Sequence, residues 1–279
     1  MNLSNLIKFG SRSLKKKNIQ THLIDSELIL SNLLNKSRES LLISEEKKIS
    51  KINIKIFRNL INRRKRKEPL AYIFKHKEFW NSKFKVDYNT LIPRPETELL
   101  VEKIVKYFKK NPIFILDVGT GTGCIIISIL QELKNSRGIG IDISKKALDI
   151  AKINARKEKL KKVKFINKSI TYINNYRFDL IVSNPPYICT NQLKNLSDDI
   201  RRYEPIKALD GGIDGLDVIK KIIYKARYIL KIKGILALEI GFGQYKQVSQ
   251  ILRENRFREK FLIKDYRNNI RCILSVLEN

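Results

Sequence analysis

From residue 113 onward the sequence alternates short apolar runs with longer amphipathic stretches, and this alternation limits the possible folds more than any other feature. The runs fall at residues 113–117, 138–142, 163–166, 178–184 and 235–240, and helical periodicity fills 124–133, 145–158 and 216–230. Strand-helix repetition of this kind predicts an α/β domain, a doubly wound and largely parallel sheet with helices on both faces. Two later runs, at 261–264 and 270–277, have little helical sequence between them. They are expected to pair antiparallel at one sheet edge.

The first part of the chain has a different period. From residue 3 to about 66, apolar residues recur three and four apart (Leu23, Leu28, Leu30, Leu33, Leu34, then Ile52, Ile56, Leu60), broken by polar turns such as 35–37. A small helical bundle is expected there. The cationic run at 63–67 closes it, and Glu68 followed by Pro69 should stop the helix. That run reads as a solvated helix end complementing the C-terminal dipole, in preference to a nucleic-acid patch. Between residues 72 and 92 aromatic and β-branched residues take over (Phe74, Phe79, Trp80, Phe84, Val86), with Asn81 and Ser82 as the turn of a hairpin. The expected organisation is therefore a helical domain at 1–72, a β-hairpin linker at 73–93 and the α/β domain at 94–279.

Charge enters as the unusual quantity, with 57 Lys and Arg against 28 Asp and Glu, net +29. An anionic partner would account for it. So would codon bias, because Lys, Ile and Asn, all abundant here, share A/T-rich codons. The three cysteines, Cys124, Cys189 and Cys272, form no C-x-x-C pair, and the two histidines belong to no ligand cluster. Neither a disulfide framework nor a metal site is expected. With no sustained apolar segment of about 20 residues, a cytoplasmic protein without membrane partners is the default.

Three motifs fall where doubly wound folds bind ligands. Residues 117–123 read Asp-Val-Gly-Thr-Gly-Thr-Gly, directly after an apolar run and before a helix. Glycines there let the backbone adopt positive φ and pass close to a ligand. The spacing is neither G-x-G-x-x-G nor a P-loop. Asp142 ends the next run, where a carboxylate can accept from both hydroxyls of a ribose; the competing reading is a helix N-cap. Asn184, Pro185, Pro186 and Tyr187 end the strand at 178–183. The prolines make a rigid turn rich in acceptors, so a planar NH₂ group could be held between the Asn184 side-chain carbonyl and the Pro185 backbone carbonyl, with Tyr187 supplying a flat face.

Together these motifs resemble S-adenosylmethionine-dependent methyltransferases that modify a planar amide or amino nitrogen. More narrowly, the chain resembles the release factor glutamine methyltransferases. The added signatures are residues 91–98, Leu-Ile-Pro-Arg-Pro-Glu-Thr-Glu, and Tyr203, Glu204 and Pro205 with Gly211, Gly212 and Gly215. The resemblance covers nearly the whole chain. It implies a Rossmann-like methyltransferase fold that binds S-adenosylmethionine through Gly119, Thr120, Gly121, Thr122, Gly123, Asp142, Ile170 and Asn184. It implies a substrate glutamine, in the Gly-Gly-Gln motif of a peptide chain release factor, held by Asn184, Pro185, Pro186 and Tyr187, of which Asn184, Pro185 and Tyr187 carry the catalysis. Glu98 would face the cofactor or buttress the substrate loop, and Arg94 would pair with a carboxylate from the following helix or from 203–205. One departure stands out: Ser169 and Ile170 occupy the corner where the family has an acidic residue and often an aromatic one.

The alternative is an adenine-N6 DNA methyltransferase, which shares Asn-Pro-Pro-Tyr. No further target-recognition domain is evident, so no DNA partner is expected. A non-enzymatic reading, an RNA- or ribosome-binding module with a degenerate methyltransferase domain, draws on the charge and on Ser169. Transient proximity to ribosome or RNA through the basic surface remains compatible with the enzymatic reading.

Overall fold

The computed structural model describes residues 2–43, 48–109, 111–265 and 267–279. The part of the helical expectation that falls on residues 44–47 lies outside the described residues. Two compact units emerge, Met1–His76 with Ser197–Tyr203, and Lys77–Leu196 with Glu204–Asn279.

The first unit contains α1 (Leu3–Lys15), α2 (His22–Leu34), α3 (Arg38–Ile43), α4 (Lys51–Lys65) and α5 (Leu70–Phe74). Asn2 and Ser50 start α1 and α4 by accepting the N–H groups of Asn5 and Asn53, as expected for N-caps. Leu3, Leu6, Ile29, Leu30, Phe57 and Ile61 form its core. Gly10 lets the helices approach closely, because a Cβ there would lie 2.3 Å from Ser26 Oγ and 2.8 Å from Phe57 Cζ. The cationic end of α4 is partly internal. Arg64 Nε donates to the buried Asp25 at 2.7 Å, and Arg63 pairs with Glu68. Two of the run's charges therefore belong to the bundle, whereas the sequence suggested a solvated end.

A hairpin follows, β1 (His76–Phe79) and β2 (Ser82–Lys85), which from Lys77 onward belongs to the second unit. Its turn is Trp80 and Asn81, one residue earlier than expected, because Trp80 takes the left-handed conformation (φ 53°) and Ser82 already lies in β2. The chain continues through α6 (Pro95–Phe108), β3 (Phe114–Val118), α7 (Cys124–Glu132), β4 (Arg137–Asp142), α8 (Lys145–Lys157), β5 (Val163–Asn167) and β6 (Phe178–Ser183). After α9 (Asp198–Tyr203), which groups with the first unit, come α10 (Asp217–Ile229), β7 (Leu230–Glu239), α11 (Tyr245–Glu254), β8 (Phe257–Lys264) and β9 (Ile270–Leu277).

The sheet order is β5-β4-β3-β6-β7-β9-β8, parallel through β7, with β9 antiparallel to both β7 and β8. Alternate strand residues face opposite layers. Leu116, Val118, Leu236 and Leu238 pack with Ile219, Ile223, Val248 and Leu252 of α10 and α11. Ile115, Leu180, Val182 and Ala237 pack with Leu100, Ile104, Ile126 and Ile129 of α6 and α7. Each such burial contributes about 1.5–3 kcal/mol, against about 0–1 for an exposed ion pair, so the apolar layers set the register. β7 starts five residues before its apolar run. Lys231, Ile232 and Lys233 are exposed, and a bulge with Lys233 at φ 62° hid this part of the strand from the apolar pattern. Among the described residues no helix is long and apolar enough to cross a membrane.

β3 leads outward to β4 and β5, while β6 and β7 lie on its other side. The direction of winding reverses between β3 and β6, so the loops after these two strands open on one crevice.

Candidate active site

The loop after β3 turns through three glycines at positive φ: Gly119 (71°), Gly121 (55°) and Gly123 (80°). Four of its N–H groups are taken up inside the protein. Those of Gly119 and Thr120 donate to Ile141 O at 2.9 Å, that of Gly121 to Asp142 Oδ2 at 3.0 Å, and that of Gly123 to Thr120 O at 2.7 Å. The hydroxyls of Thr120 and Thr122 also point inward, to Asp117 Oδ2 (2.6 Å) and the Cys124 N–H (3.3 Å). The loop thus offers shape more than donors. A Cβ at Gly119 would meet nothing within 4 Å, and one at Gly121 only the Gly119 carbonyl at 3.8 Å. This open face fits the close backbone approach of a nucleoside-bearing cofactor.

Asp142 stands beside it at the end of β4. Its oxygens accept from the N–H groups of Gly121 and Ser144, the latter at 2.8 Å, and Ser144 itself caps α8 through Ala147 N. The N-cap role read as an alternative for Asp142 therefore belongs to Ser144. A carboxylate has about four acceptor positions, so Asp142 keeps acceptor capacity beyond these backbone groups. Burial raises the pKa of Asp142. Ile170 is only 5% exposed and packs in the core layer with Val118 and Ile141, whereas Ile143, next to Asp142, is 64% exposed. Ser169 Oγ accepts the Thr171 N–H, and Asn167 Nδ2 donates to Asp142 O at 2.8 Å.

Asp117, beneath the loop, is fully buried, and desolvation raises its pKa to about 7 despite the opposing Thr120 hydroxyl. The unfolded chain ionises this group near 3.8, so the native state holds the extra proton between 3.8 and about 7. Its contribution is greatest below 3.8 and is lost as pH rises to about 7, a change on the order of 4 kcal/mol. Asp117→Asn cannot ionise. Urea unfolding across this pH range should show wild type losing stability relative to the variant; parallel profiles would refute the assignment.

At the end of β6, beside Val118, Asn184 Nδ2 donates to Thr97 Oγ1 at 3.2 Å, and the Thr97 hydroxyl donates to the buried Glu239 at 2.6 Å. Thr97 has one hydrogen, and Glu239 takes it. Only the NH₂ side of Asn184 can then face Thr97, so Asn184 Oδ1 points away from Thr97, and among the described residues no hydrogen bond engages it. Arg271 completes the chain, donating to Tyr187 Oη at 2.9 Å and to Glu239 Oε1 at 3.4 Å, with its guanidinium 5.2 Å from the Tyr187 ring centre. Burial raises the pKa of Glu239, and the Thr97 hydrogen bond and the Arg271 charge oppose that rise.

Pro185 is buried and Pro186 half-buried. Gln244 ties their loop down, donating to Tyr187 O (3.0 Å) and Gly215 O (3.2 Å) while accepting from Gly241 N (2.8 Å). Arg94 pairs with Glu204, at 2.6 Å, in the 203–205 segment as expected, and the other Glu204 oxygen accepts the Ile92 N–H. Glu98 accepts the Trp80 N–H and so anchors the hairpin. Asn154 joins the Thr122 carbonyl to β2 through both Lys85 backbone groups.

The structure thus places Gly119, Gly121, Asp142, Asn184, Pro185 and Tyr187 at or just after the C-terminal ends of the neighbouring strands β3, β4 and β6 and turns the side chains of Thr120, Thr122 and Ile170 inward. Sequence reasoning missed Thr97, Asn154, Glu239, Gln244 and Arg271. Glu239, an acid inside the apolar run at 235–240, was the available signal.

Residues 109–267 match the family described as Methyltransferase domain, and residues 5–74 match the PrmC N-terminal domain. The chain is 38% identical to a release factor glutamine methyltransferase of Clostridium botulinum, over 98% of each chain. It is 42% identical to one of Buchnera aphidicola subsp. Schizaphis graminum, over 88% of this chain and 90% of the relative. A methyltransferase from Pyrococcus furiosus shares the fold, with a TM-score of 0.57 at 16% identity over 78% of this chain and 99% of that one.

Proposed function

The chain belongs to the release factor glutamine methyltransferases, and on that premise we propose that it moves a methyl group from S-adenosylmethionine to the amide nitrogen (N5) of the Gly-Gly-Gln glutamine of a peptide chain release factor in the cytoplasm. The observation that supports this reading is Asn184, held by its Nδ2 with Oδ1 left free, at the end of β6 beside β3, whose loop carries the glycines. Gly119 and Gly121 would receive the cofactor against open backbone, Thr120, Thr122 and Gly123 would shape the turn, and Asp142 would accept the ribose hydroxyls. The exposed Ile143, with Ile170 beneath, would supply the apolar wall for adenine. The helices at 1–72 are proposed to dock the release factor, with 73–93 as linker and 94–279 as transferase.

When bound, the cofactor supplies an electrophilic methyl group. An amide nitrogen is a weak nucleophile because its lone pair is delocalised into the carbonyl. Asn184 Oδ1 and the Pro185 carbonyl would accept its two N–H bonds, fixing the nitrogen and raising its electron density. Positioning of this kind supplies about 7–11 kcal/mol in well-oriented intramolecular reactions. Tyr187, held through its phenol by Arg271, would present its ring to the amide plane, and Pro186 would keep the turn rigid. As the N–C bond forms the nitrogen becomes acidic, and its proton can pass to water without a strong base.

Labelled S-adenosylmethionine incubated with release factor should mark the wild-type protein and leave a Gln-to-Ala motif variant unmarked. Label on that variant would exclude this substrate, and label on adenine of duplex DNA would restore the alternative. Gly211→Ala tests the loop, because its Cβ would lie 2.8 Å from Pro186 O and 2.7 Å from Gly215 O. The loop must shift at a cost of about 1–3 kcal/mol, so turnover should fall while cofactor affinity, read by calorimetry, holds.

A further inference from the structure

A cavity of about 730 Å³ runs from Phe114 and Arg137, at the starts of β3 and β4, to Ile139 and Ile166 within β4 and β5, and shares no lining residue with the site described above. Phe114, Ile139, Ile166 and Tyr176 form an apolar floor, and Arg137, Lys161, Lys162, Lys164 and Arg177 rim it. Among the described residues none of these five cations forms an ion pair. Arg137 lies over the Phe114 ring at 4.6 Å, Lys162 reaches only a backbone carbonyl, and Arg177 donates to Tyr176 O. Asp179, close in sequence, is already engaged by the Phe114 N–H and Lys231. The rim charges therefore face solvent uncompensated; beneath them Phe114 is covered by Arg137 and packs on Phe178 at 4.7 Å, while the half-buried Tyr176 stacks on Phe178 at 5.4 Å.

We propose that this cavity binds single-stranded nucleic acid, taking one unstacked base on the side of the Tyr176 ring not stacked on Phe178 and the flanking phosphates on Lys161, Lys162, Lys164 and Arg177. The two elements needed for such binding are a stacking platform and a cationic track, and both occur here in one concavity. An acidic peptide would find partners on the rim but nothing for the aromatic floor. A duplex keeps its bases stacked and would lose the floor as well. The site is separate from the residues assigned to methyl transfer, so it would tether the enzyme to its nucleic-acid surroundings without entering the reaction.

The test is fluorescence anisotropy with a labelled 10-nucleotide single-stranded RNA and the matching duplex, from 50 to 200 mM salt, using the full chain. The triple variant Lys161→Ala, Lys162→Ala, Lys164→Ala should bind the single strand at least about tenfold more weakly, with a salt slope shallower by about 2. Tyr176→Leu should weaken binding about five- to tenfold at unchanged slope. If Tyr176→Leu does not fold, the slope change in the lysine variant decides. The control Lys15→Ala, Lys16→Ala, Lys17→Ala removes three exposed charges elsewhere and should change affinity less than twofold. An equal loss in that control, or duplex binding as tight as single-strand binding, would overturn the proposal. Methyl transfer to free release factor should be unchanged in the cavity variants, so failure here is distinguishable from failure of the proposed function.

Discussion

Asn184→Ala is expected to lower single-turnover methyl transfer about 100- to 1000-fold at saturating cofactor, with the cofactor dissociation constant within about tenfold. The scale is that of removing one preorganised hydrogen-bonding group at a reacting centre. Thr97→Val separates presence from orientation. Valine keeps the shape of threonine but cannot accept from Asn184 Nδ2 or donate to Glu239, so the amide is free to turn over. A loss of about 10- to 100-fold is expected, the equivalent of about 1–3 kcal/mol. The same geometry predicts an acid limb in the rate. Burial raises the pKa of Glu239 above the usual 4.5, so on acidification Glu239 gains a proton at a higher pH than an exposed carboxyl. It then donates to Thr97, the Thr97 hydrogen swings to Asn184, and the carbonyl of Asn184 turns inward. Rates measured against pH should fall on the acid side in wild type, and Thr97→Val should lack that limb. If Thr97→Val matched wild type in rate and pH profile, the orienting role would be lost while that of Asn184 stood.

These partners explain what could be read in the sequence and what could not. The strand-helix alternation, the glycine turn, Asp142 and the Asn184 turn are local patterns, each confined to a few residues whose period or stereochemistry is visible in one dimension. Thr97 and Glu239 are 142 positions apart, and Arg271 meets Tyr187 across 84. No local rule couples them. What the sequence does show is Glu239 inside an apolar run, a charge whose burial demands partners. Arg94 was traced to Glu204 only because the expected acceptor lay in a segment already singled out. The inward turn of Thr120 and the burial of Ile170 were hidden for a different reason. Direction depends on loop torsion, and a threonine between glycines can point either way until Asp117 beneath it is known to need a donor.

Asp142→Ala should weaken cofactor binding about 100- to 1000-fold and change the saturated rate less than about tenfold. Hydrogen bonds to a charged acceptor are worth about 1.5–3 kcal/mol each, and two ribose hydroxyls are the expected donors. Part of the loss would come from the loop, because Gly121 and Ser144 would also lose their acceptor. Asp142→Asn retains one carbonyl oxygen and should fall between the two. Burial places the pKa of Asp142 above 3.8, so wild-type affinity should drop on acidification once pH approaches that raised value, and the Asn variant should not follow. A cofactor analogue lacking both ribose hydroxyls separates the two contributions. If Asp142 accepts from the ribose, calorimetry will show the analogue losing much less affinity than S-adenosylmethionine on Asp142→Ala. An equal loss for both would confine Asp142 to holding the Gly121 turn, leaving the ribose to other residues.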